Sequence, residues 1–419
     1  MGIFSKIFGQ DRLSNYALAL DIGTEVVKAL IFKIDQEGQG HVLGVGRQQQ
    51  KLGDMQSGAV TDIGGVVKAC RKAISEARKT ANIQPEQVIL GIAGELVKGK
   101  TITIHYERLR PKNKIDFSEL KNIIQKVQWK AFDKVRRELS WETGLSELDV
   151  KLINAAIVDV RIDGYRITNP IGFQGKDVSI SVFNAYAPLV HLGALQSIAA
   201  ELDMDLLSVA CQPYAVARCI GTEDTVEFSA IFIDVGGGTT DIAVVRNGGI
   251  EGTKMFALGG RAFTKRLASE LGVSFAEAEK IKLKYSNDQL PAEVMHRIKE
   301  TLDSDCRVWL SGVELVLSEF SNVDLLPSRI LLCGGGSVLP GIKASLQNRE
   351  WCKDLPFAKP PQVHFIKPED VTNIIDKTGK LINPQDITPM ALANLAIDLA
   401  GEEDLLHRIL RRVVRMMQT

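Results

Sequence analysis

The strongest constraint on the fold of this chain is a pattern that occurs twice, once in each half. Residues 18–32 (LALDIGTEVVKALIF) and residues 231–245 (IFIDVGGGTTDIAVV) share one layout: an apolar run, an Asp, a glycine-bearing turn with Thr, and a second apolar run. Each segment predicts a β-hairpin whose tight turn carries polar groups. Two such hairpins so far apart indicate two related lobes. Because strand-like and helix-like segments alternate along most of the chain, the predicted fold class is α/β.

Composition excludes several classes of protein. The chain has 419 residues, enough for two or three domains, and its 51 basic and 51 acidic side chains cancel. A neutral chain is poorly suited to coating nucleic acid, so no nucleic-acid partner is expected. The six cysteines never form a C-x-x-C pair, which predicts buried free thiols in a reducing cytosol instead of a zinc site. We expect no membrane-spanning helix, because no apolar run reaches ~18 residues. We also expect no signal peptide, because the N-terminus has no continuous apolar core and no small-residue cleavage site.

The two hairpin turns carry the groups that bind a phosphate chain. Glycine lets backbone N–H groups approach phosphates, Thr hydroxyls bond to phosphate oxygens, and carboxylates hold magnesium. Residues 21–24 (DIGT) supply one set and residues 234–241 (DVGGGTTD) supply a richer one. Taken alone, the first set also fits a plain hairpin turn. Three consecutive glycines in the second have no packing benefit, so a ligand explains them better.

A third glycine-rich segment follows a predicted strand. Residues 331–341 (LLCGGGSVLPG) combine a strand end, three glycines and a helix start, which makes room for a flat group such as adenine. Alone this segment is a weak signal, since any strand-to-helix turn can use glycine. Neither this segment nor the hairpin turns match the Walker A or the Rossmann pattern.

In this order, the three motifs resemble the phosphate-one, phosphate-two and adenosine motifs of the actin-like ATPase superfamily. Within it, the sequence resembles the bacterial cell-division family FtsA from roughly Tyr16 to Ala400. Further stretches that carry the resemblance are DGYRITNPIG (163–172), QPYAVA (212–217), LGGRAFT (258–264) and AEKIK (278–282). The resemblance implies an actin-like two-lobed fold, made of duplicated ribonuclease-H-like domains, with an FtsA-type inserted α+β subdomain.

The resemblance also implies domain boundaries. We expect the first lobe at residues 1–85 with 188–212 and 387–403, and the inserted subdomain at 86–187. The second lobe would cover 213–386, and a C-terminal amphipathic helix would cover 404–419.

The cofactors that the resemblance implies are ATP and Mg²⁺, bound between the lobes. Asp21 and Asp234 would approach the metal, mostly through water. Gln212 would act with Asp234 at the catalytic centre by orienting the attacking water. Because a glutamine is not a useful general base, this arrangement predicts at most slow hydrolysis, used as a timer.

The remaining cofactor-binding residues fall into three groups by the same resemblance. Those expected to wrap the phosphates are Gly23, Thr24, Gly236, Gly237, Gly238 and Thr239. In the second lobe, Gly259 and Gly260 belong to the segment on the nucleotide side. Glu279 and Lys282 lie three residues apart on one helix face and would reach the ribose and adenine. The expected adenine slot is Gly334, Gly335, Gly336 and Ser337.

The first hairpin departs from the FtsA pattern. Glu25 and Val26 stand where FtsA proteins commonly have Thr and Lys, while Val27-Lys28 resembles PilM, the FtsA-like protein of type IV pilus machinery. Lys28 either replaces the missing lysine beside the phosphates or lies on the solvated face of the second strand. We favour the solvated face.

The C-terminal segment separates into two faces at helical spacing. The apolar face is Leu405, Leu406, Ile409, Leu410, Val413, Val414 and Met417, and the basic face is Arg408, Arg411, Arg412 and Arg415. This pattern is typical of a helix on an anionic membrane surface, and FtsA ends in a similar membrane-targeting helix. The expected membrane contacts are Leu406, Arg408, Ile409, Leu410, Arg411, Arg412, Val413 and Arg415. The alternative is a last helix packed on the second lobe, with its arginines in solvent.

Three functions remain open from the sequence. The first is an FtsA-like protein, peripheral on the cytoplasmic face of the cell membrane, that forms filaments with itself and binds anionic lipids. It would anchor FtsZ filaments through the FtsZ C-terminal peptide and recruit other division proteins. The second is a PilM-like cytoplasmic component of a type IV pilus. The third is a small-molecule kinase of the same superfamily. It ranks lowest, because the inserted subdomain replaces the part that kinases use to close on substrate.

Overall fold

The computed structural model describes residues 15–94, 97–143, 150–220, 228–320 and 323–400, together with Leu406, Ile409, Leu410 and Val413. Its strands are β1 (Tyr16–Ile22), β2 (Val26–Ile34), β3 (Gly40–Gln49), β4 (Met55–Gln56), β5 (Ala59–Val60), β6 (Gln87–Ile92), β7 (Lys98–Glu107), β8 (Val150–Ile162), β9 (Tyr165–Arg166), β10 (Asp177–Pro188), β11 (Asp205–Cys211), β12 (Ala230–Val235), β13 (Thr240–Arg246), β14 (Gly249–Phe256), β15 (Arg329–Cys333), β16 (Gln362–Phe365) and β17 (Ile374–Asp376). Its helices are α1 (Ile63–Ala81), α2 (Phe117–Thr143), α3 (Leu189–Glu201), α4 (Gln212–Arg218), α5 (Gly260–Leu271), α6 (Phe275–Ser286), α7 (Ala292–Ser318), α8 (Pro340–Gln347) and α9 (Ile387–Ala400).

A six-stranded sheet forms the first lobe, in the order β11-β6-β1-β2-β3-β17. The first predicted hairpin is confirmed as β1–β2, paired antiparallel. The strand β6 pairs in parallel with both β1 and β11, as its apolar sequence suits a central buried strand. Residues 87–92 therefore belong to this sheet, and the insertion that we expected from residue 86 begins after β6. Similarly β17, expected in the second lobe, pairs with β3.

A nine-stranded sheet contains both the second lobe and the insertion, in the order β16-β15-β12-β13-β14-β7-β10-β8-β9. The second predicted hairpin is confirmed as β12–β13, also antiparallel. We call α2 with β7, β8, β9 and β10 the inserted module. Its sheet joins the second lobe edge to edge, because β7 pairs with β14 at Gly99–Thr253 and Lys100–Gly252.

The six cysteines are free and buried, as their spacing predicts. They are distributed over both lobes: Cys70, Cys211, Cys219, Cys306, Cys333 and Cys352. Burial raises the pKa of several of their thiols, including that of Cys306, to about 12. These thiols are therefore protonated and unreactive at neutral pH.

The helix α1 packs very closely on β3. The Asp62 side chain accepts a hydrogen bond from the Gly65 N–H at 3.1 Å and so caps the start of α1, and Asn82 ends it in a left-handed conformation. A Cβ placed on Gly46 would lie 1.9 Å from the carbonyl oxygen of Ala73. Only glycine therefore fits at this position of β3.

Gly46→Ala is expected to lower the free energy of unfolding by about 3 kcal/mol, because the backbone of α1 must move away from the sheet. Urea unfolding measures this change. Gly53→Ala is the matched control, because a Cβ at Gly53 meets no described atom within 4 Å. Equal midpoints for the two variants would contradict the close packing of α1 on β3.

Four residues of the apolar face at the C-terminus are described, and all four are buried. Leu406, Ile409, Leu410 and Val413 are helical and belong to the hydrophobic core of the inserted module. These four side chains pack on the inserted module, so the alternative that the last helix packs on the second lobe is wrong for them. The arginines expected to contact the membrane, Arg408, Arg411, Arg412 and Arg415, lie outside the described residues.

Candidate functional site

The two hairpin turns face each other across a cavity of about 390 Å³ between the lobes. The cavity is lined by the turn of β1–β2, the turn of β12–β13, the start of α5, one face of α6 and the glycine turn after β15. The predicted site residues on its wall are Asp21, Gly23, Thr24, Gln212, Asp234, Gly236, Gly237, Thr239, Gly260, Glu279, Lys282, Gly334, Gly335 and Gly336. The fold thus gathers segments from both halves of the chain around one space large enough for a nucleotide.

Three predicted site residues shape the turns from behind instead of lining the cavity. A Cβ on Gly238 would lie 2.8 Å from the hydroxyl of Thr24, and a Cβ on Gly259 would lie 2.6 Å from the carbonyl oxygen of Gly236. Ser337 is fully buried and its hydroxyl donates to the carbonyl oxygen of Gly334 at 2.7 Å. Ser337 therefore stabilises the glycine turn and does not face the adenine slot where we expected it.

Both carboxylate oxygens of Asp21 have partners. Gln212 Nε2 donates to Oδ1 at 2.9 Å, and Lys28 Nζ donates to Oδ2 at 2.8 Å. The register of β1–β2 sets Lys28 directly opposite Asp21, so both side chains lie on the cavity face of the sheet. The solvated position that we favoured for Lys28 is wrong. Although burial opposes its charge, Asp21 raises the pKa of Lys28, which therefore remains a cation beside the cavity.

The second hairpin brings two more buried carboxyl groups to the cavity. Thr388, at the start of α9, donates to Asp234 Oδ2 at 2.5 Å. Asp241 Oδ2 accepts a hydrogen bond from Thr239 at 3.3 Å, while within the described chain Asp241 Oδ1 is buried without a partner. Burial raises the pKa of Asp234. Burial and then the nearby Asp234 raise the pKa of Asp241 well above its usual range.

This carboxyl cluster fits a magnesium ion that is bound through water and phosphate. Asp21, Asp234 and Asp241 interact electrostatically, and the orphaned oxygen of Asp241 needs a donor or a cation. Among the described residues, no group of three or more His, Cys, Asp or Glu side chains could hold a metal ion directly. A hydrated ion carried by a phosphate chain satisfies both observations, because phosphate oxygens and water supply the remaining ligands.

The start of α5 closes one end of the cavity, beside the glycine turn of the second hairpin. The Gly260 N–H donates to the Gly236 carbonyl oxygen at 2.9 Å, and the Arg261 N–H donates to the Gly237 carbonyl oxygen at 2.8 Å. These bonds hold the glycine turn of the second hairpin against the first turn of α5. The positive end of the α5 dipole is directed toward the cavity, where it favours anionic oxygens.

Glu279 and Lys282 form the other polar wall of the cavity. A capping box between Ser274 and Glu277 starts α6, and one turn later the side chains of Glu279 and Lys282 pair at 2.8 Å. Thr264 donates to Glu279 at 2.5 Å. A carboxylate and an ammonium held in this way suit the hydroxyls and ring nitrogens of a nucleoside.

Sequence reasoning missed a bridge between the lobes, made by Arg261 of α5. Its Nε donates to Glu25 Oε2 at 2.6 Å, its Nη2 to the Thr24 carbonyl oxygen at 2.6 Å, and its Nη1 to the Met55 carbonyl oxygen at 2.9 Å. We call these contacts the Arg261 clasp. The sequence feature that could have indicated this bridge is Glu25, an acid in place of the Thr that is common in FtsA. An arginine from the second lobe is the partner of that acid.

Without nucleotide and metal, Asp241→Asn is expected to be more stable than the parent protein at pH 7. The buried Asp241 carboxyl keeps its proton in the folded state at pH values where the unfolded chain has released it. The folded state then binds more protons, so the free energy of unfolding falls as pH rises above about 4. Urea unfolding from pH 4 to 8 should show a flatter profile for the variant. Parallel profiles would contradict a raised pKa at this carboxyl.

Two lobes with a cavity between two acidic hairpins define an actin-like fold. The solved structure of the PilM-PilN type IV pilus biogenesis complex confirms this fold, with a TM-score of 0.63, 17% identity, and coverage of 92% of this chain and 99% of that chain.

The sequence comparisons identify relatives of the chain. The family model "Cell division protein FtsA" matches residues 231–388, and FtsA of Neisseria meningitidis is 26% identical over 93% of this chain and 92% of its own length. FtsA of Pseudomonas aeruginosa is 24% identical over 77% of this chain and 78% of its own length. The resemblance to FtsA is therefore confirmed.

Proposed function

We propose that this protein is an FtsA-like cell-division protein that binds ATP with Mg²⁺ between its lobes. It polymerises at the inner face of the cytoplasmic membrane and anchors FtsZ filaments there. One observation carries the proposal: the acidic turns of both lobes line a single cavity, in a chain whose relatives over nearly its whole length are named cell division protein FtsA.

The cavity residues suit slow nucleotide turnover. Magnesium, when bound, would neutralise phosphate charge, and the carboxylates of Asp21 and Asp234 would hold it through its water shell. Gln212 is held by Asp21 at 2.9 Å, so its amide has a fixed position beside the phosphate end. An amide orients a water molecule but does not remove its proton, which keeps hydrolysis slow and suits a timer.

Membrane association is proposed to rest on the basic face of the C-terminal helix. Four arginines near an anionic surface contribute about 1 kcal/mol each. No described helix is long and apolar enough to cross a bilayer. The partners proposed are anionic lipids, further copies of this chain in filaments, the FtsZ C-terminal peptide and other division proteins.

A PilM-like role is the second candidate, because the PilM-PilN structure shares the fold over 99% of the matched chain. Fluorescence anisotropy with labelled FtsZ C-terminal and PilN peptides, in Mg²⁺-ATP, separates the two candidates. We expect saturable binding of the FtsZ peptide and none of the PilN peptide. The reverse result would replace the FtsA-like role with the PilM-like one.

A further inference from the structure

The described C-terminal residues form one face of a helix that is already occupied. Leu406, Ile409, Leu410 and Val413 follow the spacing i, i+3, i+4, i+7. Each is at most 4% exposed, and all four share one hydrophobic cluster with the inserted module. These four residues belong to the apolar face that membrane association would require.

The inserted module provides a groove for this helix. The helix α2 packs on β7 and β10 of the module sheet. The strand β8 lies beyond β10, yet its Val160 and Ile162 are only 3% and 4% exposed and belong to the cluster that contains the C-terminal residues. The C-terminal helix therefore helps to cover the part of the sheet beside α2. We call the surface formed by Ile124, Val127, Val160 and Ile162 the module groove.

The module groove and a membrane compete for the same four side chains. Burial at either site removes these side chains from water, so the hydrophobic effect favours both. An anionic surface adds attraction to the basic face of the segment, whereas a neutral surface does not. Only five residues separate α9 from Leu406, which gives the helix a high effective concentration at the module groove. Docking is then the resting arrangement, and anionic lipid shifts the balance.

We propose that the C-terminal helix is a reversible latch. Its apolar face occupies the module groove in solution and transfers to an acidic lipid surface, which uncovers the groove only at the membrane. This inference rests on the membrane association in the proposed function. It adds that the inserted module controls that association and changes its own exposed surface when the protein binds lipid.

A cysteine in the module groove reports the latch directly. The six native thiols are buried, so Val160→Cys in the full chain supplies one site whose labelling by a polar maleimide measures groove exposure. Val308→Cys is the accessible control, because Val308 is 60% exposed on α7. We expect labelling of Val160→Cys to be at least tenfold slower than that of Val308→Cys. It should accelerate at least tenfold when residues 404–419 are deleted or when Ile409→Asp, which keeps the chain length, is added.

Vesicles then test the transfer. Phosphatidylglycerol vesicles should sediment the full chain and accelerate labelling of Val160→Cys at least tenfold, while phosphatidylcholine vesicles should do neither. If neither the deletion nor Ile409→Asp changes the labelling rate of Val160→Cys, both the docking and the latch are overturned. Sedimentation with slow labelling would overturn the latch and leave membrane association intact. Absence of sedimentation would overturn both the latch and the membrane part of the proposed function.

Discussion

Asp234→Asn is expected to weaken the binding of Mg²⁺-ATP at least a hundredfold. Asp234 lines the same cavity as Asp21, and Thr388 donates to its Oδ2 at 2.5 Å, so its carboxylate is held in a fixed position at the cavity wall. The amide has the same shape but lacks the charge that attracts a hydrated cation. A hundredfold loss corresponds to about 2.8 kcal/mol, an ordinary value for one charged hydrogen-bonding group.

Isothermal titration calorimetry with ATP, in the presence of Mg²⁺ and again with chelator, measures this effect. The loss should occur only with Mg²⁺, because the removed group acts through the metal. Thr388→Val is the matched control: it keeps the carboxylate but removes the hydrogen bond that orients it, and a smaller loss is expected. Unchanged affinity in Asp234→Asn would remove this aspartate from the site.

Arg261→Ala is expected to lower the free energy of unfolding by about 3 kcal/mol and to accelerate nucleotide release. Arg261 is 9% exposed, and the variant leaves the carbonyl oxygens of Thr24 and Met55 without their donor and Glu25 without its cation. Removing one partner from such a buried set is among the most destabilising changes to a polar group. Since the clasp joins the two lobes beside the phosphate turns, its loss also permits the cavity to open.

Urea unfolding and stopped-flow release of a fluorescent ATP analogue check both parts. Arg266→Ala is the control on the same helix. Its side chain is 44% exposed and pairs with Asp305 at the surface, so its removal is expected to change stability by less than about 1 kcal/mol. Equal destabilisation by the two variants would contradict the clasp.

The elements that carry the site could be predicted from the sequence because their signals are local. The two hairpins appear in the structure with their Asp residues near the ends of β1 and β12, since two apolar runs around a glycine turn specify a hairpin within about fifteen residues. The capped start of α6 and the i, i+3 spacing of Glu279 and Lys282 likewise placed both side chains on one face. The likeness to FtsA added that the two hairpins share one ligand.

Side-chain partners across elements were less predictable. The position of Lys28 depends on strand register, and a shift of one residue would send it to the opposite face of the sheet. The boundary of the insertion depends on β6, which pairs with strands from both sides of the sequence. Neither register nor strand neighbours are specified by the residues of a single segment.

The sequence by itself determined the two hairpins, their acidic and glycine-rich turns, and an amphipathic segment at the C-terminus, because each depends on residues close together in the chain. Tertiary structure alone decided that Arg261 pairs with Glu25 across the cavity and that the apolar face at Ile409 packs on the inserted module. An apolar stripe specifies that it must be buried but not where. Protein and lipid both remove the stripe from water, so its location is set by which surface lies within reach.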